Sequence, residues 1–139
     1  MTRGTLGTAC FLVDAEATRA WYETVGEPGG GCSCGYCRNF TAAVQARGAG
    51  PLYLETLGVD LLRPIEVVEN GREADGRRWY TAIYHLAGTL LEQGTETVVE
   101  GVACTARECC FTVRDFPRPC FEVDVEWHLP WVLEETEPI

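Results

Sequence analysis

The sequence has no lysine; every basic side chain is an arginine. That excludes a Schiff-base lysine, a lysine nucleophile and the lysine of a P-loop. Serine occurs once, at Ser33, so a serine hydrolase would have to use it. Gly31-Cys32-Ser33-Cys34-Gly35 does match G-x-S-x-G. In hydrolases that motif needs a strand running straight into it and a helix straight after, whereas a Gly- and Pro-rich loop precedes it here. The two histidines, His85 and His128, are the only imidazoles available as a base. No apolar stretch approaches the ~20 residues of a membrane helix. The N-terminal run through Cys10-Phe-Leu-Val13 is short, diluted by Gly and Thr, and closed by Asp14, which does not suit a cleaved signal peptide.

Positive charge is scarce as well. The net charge is −10, which argues against binding nucleic acid through its phosphates and against an anionic membrane surface. With 139 residues the chain fits one domain, 1–139, with a tail expected to fray at 136–139. A chain of this length buries roughly two-thirds of its unfolded surface, so it needs neither disulfides nor metal merely to fold. The expected location is cytoplasmic, where its eight cysteines would stay mostly reduced.

Cysteine is what the chain has in excess. Cys32, Cys34 and Cys37 fall within six residues, flanked by Gly29-Gly-Gly31 and followed by Arg38-Asn-Phe40. The spacing C-x-C-x-x-C supplies up to three soft ligands for zinc. No second C-x-x-C follows, so a closed four-ligand site would draw its fourth ligand from Cys104, Cys109, Cys110, Cys120, His85 or His128. Reduced structural cysteines holding the loop are the plainer reading. A third reading uses Cys37 or Cys34 as a nucleophile or redox thiol, because a helix N-terminus lowers a thiol's pKa.

The rest of the chain predicts an α+β fold, a mostly antiparallel sheet with one or two helices packed on one side. Thr18–Val25 reads as a β-rich run. Arg38–Arg47 reads as a helix through Phe40, Ala43 and Val44, and Pro51–Leu57 as a shorter one closed by Gly58. Strands are expected at Pro64–Glu69, at Arg77–Ala87 in the centre of the sheet with Gly88 as a bulge, and at Thr97–Cys104. From Phe121 to Leu129 the alternation is strict, with Glu122, Asp124, Glu126 and His128 on a face expected to meet water. The segment Cys109–Asp115 is expected to pair with it across Phe116-Pro-Arg-Pro119, Arg114 opposite Glu122. Trp21, Trp79, Trp127 and Trp131 suit a core or its rim better than a base-stacking platform in so acidic a chain.

Cys34-Gly-Tyr-Cys-Arg-Asn-Phe40, Leu57-Gly-Val-Asp60 with Pro64 and Glu66-Val-Val-Glu69, and Pro130-Trp-Val-Leu-Glu134 resemble a family of small uncharacterised bacterial proteins. The resemblance implies a bacterial, single-domain, cytoplasmic protein and carries no activity with it. Function is therefore read as a small binding or regulatory module with a structural, possible zinc-binding cysteine loop, or as a thiol-dependent enzyme or redox protein. The partner would be a small molecule or a protein, and a homodimer is compatible with the composition.

Overall fold

The computed structural model describes residues 1–138 except Ala49, Thr112 and Arg114. Its elements are β1 (Thr2–Leu6), β2 (Ala9–Val13), α1 (Ala15–Glu23), α2 (Gly35–Ala46), α3 (Leu52–Thr56), β3 (Glu66–Arg72), β4 (Arg78–Glu92), β5 (Thr97–Val99), β6 (Val102–Arg107) and β7 (Cys120–Leu129). The seven strands form one antiparallel sheet in the order β1-β2-β4-β7-β6-β5, with β3 also on β4. The fold is α+β, as the hydrophobic pattern predicts.

β4 is the strand on which the sheet is assembled. One edge pairs with β7 from Arg78 to Ala87. The other edge is shared: β3 takes Arg78–Ile83 and β2 takes Gly88–Glu92. Between them this edge of β4 has no strand partner among the described residues, and side chains of α1 fill the gap. The Tyr22 hydroxyl donates to His85 O and accepts from His85 N, at 2.9 and 3.1 Å. Thr18 Oγ1 accepts from Ala87 N. Backbone groups in a core must be paired, so α1 replaces a missing strand segment. Gly88 is required at the crossing: its φ is +145° and a Cβ would stand 2.0 Å from Leu12 O.

Residues 18–25 are thus helical to Glu23, not a strand. Asp14 caps α1 by accepting from Ala17 N at 3.0 Å, and three alanines support the helix. The β-propensity of Trp21 and Tyr22 yields to that cap and to the Tyr22–His85 contact. α2 and α3 lie where expected. Phe40 packs edge-on against Tyr80 and Trp127, which places α2 on the apolar face of the sheet. That face holds Phe121, Val123, Val125, Trp127 and Leu129, all buried, each contributing about 1.5–3 kcal/mol.

The hairpin expected at 109–129 forms differently. β7 pairs with β6, not with Cys109–Asp115, whose described residues carry no strand. Arg114 lies outside the described residues; Arg107 faces Glu122 instead. The strand expected over 97–104 turns back at Glu100-Gly101, both at positive φ, to give β5 and β6. Glu122 and Asp124, expected in water, are 0% and 7% exposed, and Glu126 is half-buried. Phe111 and Phe116, from the 108–119 loop, stand against His85 on that face. The tail expected to fray is tied at Glu137 and Pro138 by Arg78. No helix among the described residues is long and apolar enough to cross a membrane.

Candidate metal centre

Gly29, Gly30 and Gly31 adopt φ of +64°, +72° and +80°, three left-handed residues in a row that only glycine sustains readily. This turn brings the chain back onto the start of α2. Cys34 is the N-cap residue of α2, and Cys37 sits in its first turn, on the side shared with Phe40 and Val44. The sulfurs of Cys32, Cys34 and Cys37 lie within 4.8 Å of one another. Cys32 and Cys34 are exposed and Cys37 is buried.

The surroundings hold this geometry. Asn39, fully buried, donates from Nδ2 to Pro130 O and Tyr80 Oη and accepts from Val132 N. Arg38 pairs with Glu135 and donates to Ser33 O. The Cys34–Phe40 and Pro130–Glu134 motifs, ninety residues apart in sequence, are thus one structural unit. A surface cavity of about 350 Å³ adjoins the cluster, lined by Glu27, Cys32, Cys37, Arg38, Thr41 and Gln45 among others.

The thiols are not equivalent. The Cys34 N–H points at Cys32 Sγ at 3.5 Å, and this donor with the neighbouring thiols holds Cys32 below the usual thiol range. Burial pushes Cys37 well above it. A nucleophilic Cys37 is therefore disfavoured, and no imidazole adjoins the cluster among the described residues. His128 Nδ1 is engaged with Glu73 at 2.6 Å.

The fourth ligand expected from a distant cysteine or histidine does not join the cluster among the described residues. Three members of that pool instead meet each other: His85, Cys109 and Cys120 lie within 4.8 Å of one another. Cys104 is fully buried in the core, and Cys110 lies 3.8 Å from Glu122 Oε2. The second cluster was hidden in the sequence because His85 and Cys120 are 35 residues apart; the β4–β7 register, Ala87 opposite Cys120, brings those two together, and the loop that precedes β7 adds Cys109.

Beside it, Glu122 and Asp124 face one guanidinium. Arg107 reaches Glu122 Oε2 at 3.3 Å and Asp124 Oδ2 at 2.7 Å. One cation compensates one buried carboxylate, so the pair retains a proton. Burial and the adjacent Glu122 push Asp124 up to about 8, against the pull of Arg107. Glu122 is held below the carboxylate range: burial opposes this, but Asp124, the Cys110 N–H and Arg107 outweigh it. Between roughly pH 4 and the folded pKa of Asp124, the folded state holds a proton that the unfolded chain has released, so stability falls as pH rises. In chelator, melting temperature is expected to decline more steeply with pH across that window for the wild type than for Asp124→Asn, in which buried His85, held below the usual imidazole range by desolvation, leaves the opposite trend. A parallel decline in both proteins would refute the assignment.

No protein-family model, no curated protein and no solved structure matches the chain.

Proposed function

We propose that the protein is a small binding module that carries one zinc ion on Cys32, Cys34 and Cys37, with the fourth coordination position open to a ligand. The observation that carries this reading is the mutual approach of three sulfurs on a loop anchored to α2. An all-thiolate donor set selects zinc over hard cations such as magnesium or calcium. Closed zinc sites are structural, whereas a site with three protein ligands leaves a position for water or an incoming group. The adjoining cavity gives such a group a place to sit, and Arg38 and Glu27 on its wall provide charge of both signs. A reducing, cytoplasmic setting suits three thiols kept free for metal.

Protein purified under reducing conditions and titrated with zinc is expected to bind at this cluster, and chelation should lower its melting temperature. Cys37→Ser is expected to lose one metal equivalent and, with it, the part of the zinc-dependent stabilisation that this cluster supplies. If replacing all three cysteines by serine leaves the zinc stoichiometry unchanged, the reading is wrong.

One observation favours a second reading. Cys32 and Cys34 are exposed and adjacent, and the Cys34 N–H stabilises a thiolate at Cys32. Cys32 could then attack an external disulfide, releasing one of its thiols, with Cys34 resolving the mixed disulfide and releasing the other. Rapid alkylation confined to Cys32 at neutral pH, unchanged by zinc, would move this reading ahead.

A further inference from the structure

The face of the sheet opposite α2 carries a group of side chains that the cysteine loop does not use. His85 on β4 is 0% exposed, and neither ring nitrogen has a hydrogen-bond partner among the described residues. A buried polar group left unpaired costs roughly 1–3 kcal/mol. One of its ring nitrogens lies within 4.8 Å of the sulfurs of both Cys109 and Cys120.

We propose that His85, Cys109 and Cys120 form a second zinc site, separate from the cysteine loop, that fastens the 108–119 loop to the sheet. The spacing fits. Tetrahedral zinc with Zn–S of about 2.3 Å sets two sulfur ligands about 3.8 Å apart. Cys109 Sγ and Cys120 Sγ are 3.6 Å apart. A disulfide between them would use both sulfurs but leave the His85 nitrogens unpaired; a metal engages all three side chains. On binding, both thiols lose their protons to solvent and no electrons are exchanged.

The surroundings complete the pattern. Metal-bound histidines usually pair their second nitrogen with a carboxylate or carbonyl, and a carboxylate is near the imidazole: Glu122 Oε1 stands 4.0 Å from His85 Nε2, beyond hydrogen-bond length. Arg107, on the same carboxylate, offsets the negative charge that two thiolates bring. Phe111 and Phe116 pack on the imidazole, with ring centroids 5.3 and 5.6 Å away. Those rings belong to the loop, which has no strand among its described residues to hold it. A metal bridging Cys109 at one end of the loop to Cys120 and His85 on the sheet supplies that anchor.

The test isolates this site by replacing Cys32, Cys34 and Cys37 with serine in the full chain and titrating the reduced apoprotein with cobalt(II), then zinc(II). The triple variant is expected to bind one equivalent, with thiolate-to-cobalt charge-transfer absorption that zinc abolishes. Adding Cys109→Ser or Cys120→Ser is expected to remove that binding while leaving the metal-free melting temperature unchanged. Binding of no cobalt by the triple variant, or binding unaffected by both further substitutions, would overturn the proposal. The zinc-edge X-ray absorption spectrum of the triple variant needs no further mutation. Two sulfurs and one nitrogen in its first shell support the site, and a shell of oxygens alone rejects it. The outcomes separate the two sites: should the cysteine loop bind no metal, the otherwise unaltered chain still takes up one equivalent, lost in Cys109→Ser.

Discussion

Replacing Arg78 with methionine is expected to destabilise the protein by about 3 kcal/mol, the scale for removing one partner of a buried ion pair. The melting temperature should fall on the order of 10 °C. Arg78 is only 3% exposed, at the start of β4. Its Nη1 donates to Glu69 at 2.8 Å, and its Nη2 donates to Glu137 at 3.1 Å and to the Pro138 carbonyl at 2.9 Å. The guanidinium also lies over the rings of Tyr36 and Trp131, 5.0 and 6.0 Å from their centroids. One side chain thus joins β3, the C-terminal tail and the first turn of α2. Methionine keeps much of the apolar stem but leaves Glu69 without its cation and Glu137 with Arg72 alone, 3.8 Å away. Lysine keeps the charge but not the planar fork that meets several acceptors at once, so Arg78→Lys should fall between. Tyr36 lies between Cys34 and Cys37, so loosening its ring should also weaken zinc binding at the cysteine loop. Equal melting of Arg78→Met and the wild type would show that the tail and the ion pairs contribute nothing. A loss of stability with unchanged zinc affinity would separate the tail from the loop.

How far such contacts could be foreseen depends on whether their cause is local. The strict alternation of Phe121–Leu129 is local, and β7 forms there. Arg78–Glu92 shows apolar residues on both faces and becomes the central strand, bent at Gly88. The spacing of Phe40, Ala43 and Val44 and the Pro51/Gly58 bracket identify α2 and α3. β6 was legible only to Cys104, as the end of one strand over 97–104, because Ala103, Cys104 and Ala106 are small residues with little β signal, while Phe111 and Val113 nearby mimic a strand. Its register is decided by pairing with β7. The acidic stripe of β7 reads as solvated because alternation reports polarity, not what lies above the sheet. The loop that meets Glu122 through the Cys110 N–H has no periodicity to announce it, and Arg107, counter-ion to Glu122 and Asp124, comes from the part of β6 beyond Cys104. For the site, local spacing revealed Cys32, Cys34 and Cys37, since a glycine-flanked C-x-C-x-x-C confines three sulfurs to a small volume. The grouping of His85, Cys109 and Cys120 depends on long-range register and on the loop before β7, and these three of the distant pool form a cluster of their own where a fourth ligand for the cysteine loop was expected.

Trp127→Ala is expected to have the largest effect on the fold, about 3–5 kcal/mol, as for other buried aromatic residues cut back to alanine. Trp127 is 1% exposed in the middle of β7, and its ring meets Phe40 of α2 edge-on with centroids 6.3 Å apart. The Arg47 guanidinium lies over the same ring, 5.1 Å from its centroid. Alanine would leave a cavity beneath α2 and strip Arg47 of its aromatic partner, and the surrounding strands cannot collapse to fill it because β4 and β6 pair with β7 on both edges. The indole nitrogen has no hydrogen-bond partner among the described residues, so Trp127→Phe removes volume without breaking a bond. It should cost about 1–2 kcal/mol, the range of a modest loss of core volume. Urea unfolding of the three proteins, followed by far-ultraviolet circular dichroism, orders them directly. Wild type should be the most stable, the phenylalanine variant next and the alanine variant last, with similar m-values if the unfolded states are alike. Because Phe40 seats α2 on this ring, the alanine variant should also bind zinc less tightly at the cysteine loop, whose Cys34 and Cys37 sit at the start of that helix. If phenylalanine and alanine prove equally damaging, ring volume is not what holds α2 on the sheet.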